Sequence, residues 1–201
     1  ITYNEYQRTN RFTVGTTGRT QLASNQDLTF DAYYRRTAWT ESVPSSVIHR
    51  TYDTPGGNIQ YTLHSTRTQA TNHLSIGSDI SWQGFDDYRY PNLGDAVEGT
   101  ALLSNQTIKQ FGAGLYVLDR VELGTEWGLM AGVRGDYIRN ELTDLLRANG
   151  VDLSGSATFS QATGRFGVSY NPRAEMGVYG SVGQGFLPPA TEELANNPDH
   201  M

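Results

Sequence analysis

The sequence predicts an all-β protein: an antiparallel transmembrane β-barrel segment of about eight long strands, with short periplasmic turns and long extracellular loops. Three observations predict this fold. Several alternating runs reach about 14 residues, whereas soluble strands are mostly about 5–6 residues long. The spacers between the runs alternate between short and long. Aromatic residues bracket the apolar face of one strand at a separation that suits a membrane.

Alternation of apolar and polar residues defines the strands. It places them near 3–21, 27–40, 57–67, 71–86, 106–121, 125–140, 158–171 and 175–186. The first strand is the weakest, since only Phe12 and Val14 are clearly apolar on one face.

The spacers give the sheet two different ends. The short spacers are 22–26, 68–70, 122–124 and 171–174, and the long ones are 41–56, 87–105 and 141–157. Tight turns at one end and long loops at the other are typical of outer-membrane barrels.

The sixth strand shows its two faces most clearly. Trp127 and Tyr137 share one parity with the apolar residues between them, while Arg134 and Asp136 have the other parity. The step from Trp127 to Tyr137, at about 3.4 Å per residue and a tilt near 40°, corresponds to roughly 26 Å of height, close to the apolar band of a barrel. The predicted membrane girdle is Trp82, Trp127, Tyr137 and Tyr170.

Composition excludes other classes of protein. The net charge is −6 and Lys109 is the one lysine among 15 basic residues, which argues against a nucleic-acid partner. The chain has no cysteine, so disulfides and thiolate metal sites are excluded. No apolar run approaches the roughly 18 residues of a spanning helix. The negative mean hydropathy is compatible with a barrel, because only one face of each strand meets lipid.

Three segments carry a family resemblance. Phe111 to Asp119 is an alternating strand that ends on an acidic residue before a tight turn, and Gly128 to Tyr137 is the glycine-rich and arginine-bearing strand that follows. The third segment, Gly185 to Leu194, ends a strand at a double proline, which cannot donate to a ladder. Its motif residues are Gly185, Phe186, Pro188, Pro189, Glu193 and Leu194.

In their order and spacing these segments resemble the barrel of a TonB-dependent outer-membrane receptor. Leu187 departs from the pattern, because the family usually has a basic residue there. Residues 1–201 then correspond to a partial receptor barrel domain, without a plug domain and without the C-terminal strands. The chain has no initiator methionine and is expected to be an internal portion of a longer protein.

The resemblance implies a function and its partners. The receptor would lie in the outer membrane of a Gram-negative bacterium, in contact with lipid and lipopolysaccharide, and import a scarce ligand, most commonly a ferric siderophore. TonB would supply the energy through the plug region. A ferric chelate would be cargo, so no cofactor is expected.

No catalytic arrangement is expected. Glu192 and Glu193 are adjacent, so their side chains diverge, and they suit the first turn of a helix better than an acid–base pair. The histidines have no metal-ligand spacing; His64 and His73 fall on different strands with lumen-facing parity. The sequence therefore predicts neither an enzyme nor a metal site.

Two predicted extracellular loops carry candidate ligand contacts. Arginine offers forked donors and stacks on rings, so arginine beside tyrosine suits an anionic, aromatic or chelated ligand. The candidates are Arg50, Tyr52, Tyr88, Arg89 and Tyr90. The same residue types at a membrane mouth also serve as girdle or lipopolysaccharide contacts.

Two alternatives stay open at this point. One is a small outer-membrane β-barrel that acts as an enzyme or a passive pore. The other is a soluble β-sandwich binding module, because a sandwich also alternates apolar and polar residues.

Overall fold

The structure is a computed structural model, and it describes residues 4–147, 150–173 and 175–189. The described residues form one antiparallel sheet in which neighbours in the chain are neighbours in the sheet. Its strands are β1 (Tyr6–Ala23), β2 (Gln26–Val43), β3 (Ser46–Arg67), β4 (Ala70–Pro91), β5 (Ser104–Leu123), β6 (Trp127–Asp144), β7 (Gly155–Arg173) and β8 (Met176–Gly183). The predicted all-β, antiparallel class is confirmed, as a single sheet rather than the two packed sheets of a sandwich. Within the part of the chain that the structure describes, no helix has both the length and the apolar character of a membrane span.

The main difference from the predicted boundaries lies at residues 41–56, which were predicted as a loop. β2 and β3 continue through this segment, and only residues 44–45 turn between them. Pro55 lies within the continuous strand β3, although proline cannot donate to a ladder. The structure accommodates it at a gap, since the pairing between β3 and β4 omits Thr54 and Pro55 and then resumes.

The other long spacers are shorter than predicted. Residues 92–103 and 145–154 connect β4 to β5 and β6 to β7; we call them the outer loop and the inner loop. β8 ends at Gly183, so Pro188 and Pro189 lie in an irregular segment beyond the strand instead of directly at its end. Glu193 and Leu194 lie outside the described residues.

The register confirms the two predicted faces along most of the sheet. Large apolar side chains on the face that we call the apolar face are exposed, including Phe12, Val14, Phe30, Ile76, Ile80, Leu115, Val117, Val133, Phe166 and Val182. The opposite face, the polar face, carries ion pairs. Its Arg134 donates to both oxygens of Asp79 at 2.6 and 3.0 Å and also pairs with Asp136 at 2.7 Å.

The polarity of the faces reverses toward the loop end. Beyond Tyr137, the parity of the apolar face carries Arg139 and Glu141, which pair at 2.7 Å. The parity of the polar face there carries a buried group that we call the apolar cluster. Its members are Phe85, Ile108 and Leu142, with Tyr52 and Leu153 packed against them. This end of the sheet therefore has the pattern of a soluble sheet with its own small core.

Gly77→Ala should lower the free energy of unfolding by about 1–3 kcal/mol, the usual cost of overpacking. A Cβ at Gly77 would overlap the ring of Tyr116 on the next strand. The ring is not free to move, because its hydroxyl donates to Gln60 Oε1 at 2.8 Å. Gly135→Ala is the matched control, since nothing lies within 4 Å of a Cβ at that position.

Urea unfolding followed by tryptophan fluorescence measures both variants. The double variant Gly77→Ala/Tyr116→Ala should be less sensitive to the added methyl group than the single one. Equal stability of Gly77→Ala and Gly135→Ala would show that the tyrosine ring moves aside without cost.

Candidate functional site

The five predicted ligand contacts lie in strands rather than in loops. Arg50 and Tyr52 belong to β3, and the other three belong to β4. Successive strand residues point to opposite faces, so the candidates divide into two groups. Arg50, Tyr52 and Arg89 have the parity of the polar face, whereas Tyr88 and Tyr90 have the parity of the apolar face.

A buried carboxylate joins the two arginines. Arg50 Nε donates to Asp87 Oδ2 at 2.6 Å, and Arg89 Nε donates to Asp87 Oδ1 at 2.9 Å. The Asp87 side chain is 0% exposed and that of Arg50 is 10% exposed. The guanidinium carbon of Arg50 lies 5.0 Å from the ring centroid of Trp39. We call Trp39, Arg50, Asp87 and Arg89 the arginine cluster.

The two arginines have different chemical roles. Arg50 lies between the Trp39 ring and the buried carboxylate, so it holds the arrangement together. Arg89 bonds to Asp87 through Nε and Nη2, yet its side chain is 38% exposed. The accessible guanidinium of Arg89 suits an anionic ligand, and Trp39, which contacts Arg50 on the same face, adds an aromatic ring to the cluster.

The apolar cluster lies next to the arginine cluster on the same face. Phe85 is two residues before Asp87, and its ring centroid is 4.4 Å from that of Tyr52. The guanidinium of Arg50 also lies 5.8 Å from the Phe85 ring. The predicted ligand contact Tyr52 thus packs against the apolar cluster and lies beside the Arg50 side chain.

The inner loop closes over the apolar cluster. Asp144 accepts from the backbone nitrogens of Leu146 and Arg147 at 3.1 Å each and from that of Leu153 at 3.3 Å. These bonds position Leu153 against the apolar cluster. In the same loop, hydrogen bonds from Ser154, with a smaller contribution from Arg147, hold the pKa of Asp152 below its usual value.

The outer loop lies on the opposite face. Asn92 Nδ2 donates to Ser42 Oγ at 3.2 Å and to the Val43 carbonyl at 2.9 Å. Glu98 Oε2 lies 2.6 Å from His49 Nε2. Because Ser42 and His49 have the parity of the apolar face, these contacts hold the loop on the side away from the arginine cluster.

The long strands, tight turns at one end and loops at the other match a known family. The model of that family, described as "TonB dependent receptor-like, beta-barrel", matches residues 1–200. The chain belongs to the TonB-dependent receptor β-barrel family. This family comprises receptors and transporters, not enzymes.

Solved structures of several receptors and transporters share the fold. The siderophore receptor PiuA from Acinetobacter baumannii matches with a TM-score of 0.75 and 14% identity, over 88% of this chain and 32% of its own. The ferric citrate transporter FecA matches with a TM-score of 0.76 and 13% identity, over 89% of this chain and 27% of its own. The ferric-catecholate import receptor Fiu from E. coli K12, in its open form, matches with a TM-score of 0.75 and 11% identity, over 94% of this chain and 37% of its own. This chain thus spans about a third of each structure. A search of curated proteins gave no match.

In a TonB-dependent receptor barrel, the polar face lines the lumen and the apolar face meets the membrane. The short turns are then periplasmic and the loop end is extracellular. The four predicted girdle residues all have the parity of the membrane-facing side. Trp127 stacks on Tyr170 at 4.3 Å near the periplasmic turns, and Tyr137 and Trp82 lie farther up the wall. Their role as a girdle stays a prediction.

Sequence reasoning missed the centre of the site. The sequence analysis did not single out Asp87, Trp39 or the apolar cluster. Some of these residues lie in segments that were predicted as loops, and the others lie in predicted strands in which only the alternation of apolar and polar residues was considered. The available signal was the i, i+2 series Phe85, Asp87 and Arg89, which places one apolar and two charged side chains on one face of an extended strand. Register with Arg50 and Trp39 completes the arrangement.

Proposed function

We propose that this chain supplies wall and ligand contacts to an energy-coupled receptor in the outer membrane of a Gram-negative bacterium. The cargo is a scarce anionic chelate of the ferric siderophore class. The names of the similar structures support this class of ligand, since they include a siderophore receptor, a ferric citrate transporter and a ferric-catecholate import receptor.

The arginine cluster is the observation that carries the proposal. It lies on the luminal side of strands that extend beyond the apolar band, where an external ligand would arrive. Ferric chelates of citrate or catecholate carry negative charge, and catecholates add aromatic rings. Arg89 would bond the anionic oxygens, while Trp39 would stack on a ring or pack against the ligand.

In this proposal the chain makes and breaks no covalent bonds. The membrane-facing side contacts lipid and lipopolysaccharide, and the ferric ion is cargo. TonB would act through a plug region, and its pull would open the path through the lumen. Uptake of radiolabelled ferric chelate should therefore stop in cells that lack TonB. Uptake that continued at the same rate would support the alternative of a passive pore.

Arg89→Ala in the full receptor should weaken ligand affinity about tenfold or more, as is usual for an arginine at the centre of a binding surface. The measurement is ligand-dependent quenching of tryptophan fluorescence, titrated with a panel of ferric chelates. Arg50→Ala should weaken affinity as well, because Arg50 holds Asp87 in place. Lys109→Ala is the control, since it removes one positive charge from the opposite face.

The same titration tests the candidates on the membrane-facing side. Tyr88→Ala and Tyr90→Ala should change the affinity less than Arg89→Ala does. Unchanged affinity in both arginine variants would remove the arginine cluster from the binding site. A larger loss in the tyrosine variants would instead place the ligand on the face that the outer loop covers.

A further inference from the structure

Two histidines of neighbouring strands meet on the luminal face near a periplasmic turn. His64 of β3 and His73 of β4 are directly opposite each other in the register. Their Nδ1 atoms lie 2.7 Å apart, and the ring planes cross at 81°. The turn between the strands, residues 68–69, closes the hairpin a few residues away.

A carboxylate fixes the orientation of one of the rings. His64 Nε2 lies 2.8 Å from Asp27 Oδ2, and Arg19 Nη2 pairs with the same oxygen at 2.9 Å. An ionised carboxylate only accepts, so His64 carries its proton on Nε2 and presents the Nδ1 lone pair to His73. A histidine whose second nitrogen donates to a carboxylate is the usual arrangement behind a metal ligand.

We propose that His64 and His73 bind a divalent transition ion of the Zn²⁺ or Cu²⁺ type through their Nδ1 atoms. Zn–N distances of about 2.0–2.1 Å with a tetrahedral angle require about 3.3–3.4 Å between the two nitrogens. The rings therefore need to separate by roughly 0.7 Å, which small side-chain rotations supply. His73 must move its proton from Nδ1 to Nε2, a change of tautomer that leaves the ring neutral.

The surroundings allow an aqueous ion to enter. The His64 side chain is 34% exposed, so water can complete the coordination from the lumen. The negative charge of Asp27 favours the cation, but Arg19 pairs with the same carboxylate at 2.9 Å and offsets part of that charge. Arg120, opposite His73 on β5, also disfavours the cation. Arg120 is itself paired with Glu122 at 2.9 Å, which reduces this repulsion.

The site has two protein ligands. No group of three or more histidine, cysteine, aspartate and glutamate residues is placed to hold a metal within the described ranges. The ion is thus exchangeable, unlike the ion of a closed structural zinc site, which has four protein ligands. It would join β3 to β4 at the periplasmic end of the wall, separate from the arginine cluster and from any ferric cargo.

The test uses the full receptor in detergent, stripped with a chelator and titrated with ZnCl₂ alone by calorimetry. His64→Gln and His73→Gln should each lose one equivalent of bound zinc. Asp27→Asn should weaken that site by about tenfold or more, the usual effect of losing such a partner. His49→Gln, which removes a histidine at the other end of β3, should bind as the wild type does.

A second measurement needs no substitution. Zinc should protect His64 and His73 of the wild-type receptor from diethylpyrocarbonate, and Cu²⁺ should show nitrogen coupling in electron paramagnetic resonance. Wild-type stoichiometry in both glutamine variants, or equal modification of the two rings with and without zinc, would overturn the proposal. Heat-modifiable gel mobility checks that each variant is folded.

Discussion

Asp87→Ala should lower the free energy of unfolding of the barrel by about 3 kcal/mol. Removing one partner of a buried ion pair typically costs about 3–5 kcal/mol. The lower end applies because Arg89 is 38% exposed and solvent screens its share. The loss arises mainly at Arg50, which stays largely buried after the carboxylate beside it has been removed.

Asp86→Ala is the matched control for this prediction. Asp86 is the preceding residue, it is exposed on the other face, and it accepts a bond from Thr107 Oγ1 at 2.8 Å. Asp86→Ala should lower the free energy of unfolding by less than about 1 kcal/mol. Urea unfolding in lipid vesicles, followed by fluorescence, measures both variants. Equal losses at positions 86 and 87 would contradict a stabilising role for the buried pair.

A further variant separates the loss of charge from the loss of packing. Asp87→Leu combined with Arg50→Met replaces the pair by apolar side chains of similar volume. Such replacements are often neutral or stabilising, so the double variant should recover most of the loss. It should also bind anionic chelates less well than the wild type, because one guanidinium is missing.

Asp144→Ala should open the inner loop. The carboxylate accepts hydrogen bonds from three backbone nitrogens. One of these nitrogens belongs to Arg147, whose backbone has a left-handed φ of 49° that the closed loop must maintain. Hydrogen bonds to a charged group contribute about 1.5–3 kcal/mol each, and water replaces part of them at a surface, so we expect a cost of about 3 kcal/mol. Leu153 would then leave the apolar cluster.

Limited trypsin digestion measures this opening, because Arg147 lies within the loop and is a cleavage site. A cost of about 3 kcal/mol corresponds to roughly a hundredfold faster cleavage when opening precedes each cut. Asp152→Ala is the control in the same loop, since Asp152 accepts from Ser154 and pairs with Arg147 at the surface. Its cleavage rate should rise by less than about tenfold. Similar rates in the two variants would mean that Asp144 does not hold the loop.

Side-chain alternation predicted the parts of the fold that lie within the membrane. On β6, the separation of Trp127 and Tyr137 from Arg134 and Asp136 is visible in the sequence, and the register confirms it. Alternation works there because lipid on one side and water on the other impose one rule along the whole stretch.

The rule fails above the apolar band. There water lies outside and the apolar cluster lies inside, so the same strand continues with its polarity exchanged. Pro55, which cannot donate to a ladder, lies at a gap in the pairing of β3 with β4. Arg50 and Arg89 were therefore found as residue types, but Asp87 between them was not.

The histidine pair shows a second limit. His64 and His73 are nine residues apart and have no spacing typical of a metal site. Only the register of the hairpin brings their rings together, and Asp27 joins them from a third strand. A site made from cross-strand pairs becomes visible once the pairing is known.

The reversal of polarity also sets the depth of the barrel in the membrane. Near Tyr137 the apolar side chains change from the membrane-facing side of the wall to the luminal side. Sinking the protein by one residue pair would bring Arg139 and Glu141 toward the hydrocarbon, where a charge costs up to about 2–4 kcal/mol at the midplane. Raising it would expose the apolar band to water. The order of side chains along β4, β5 and β6 thus opposes vertical displacement of the wall in either direction.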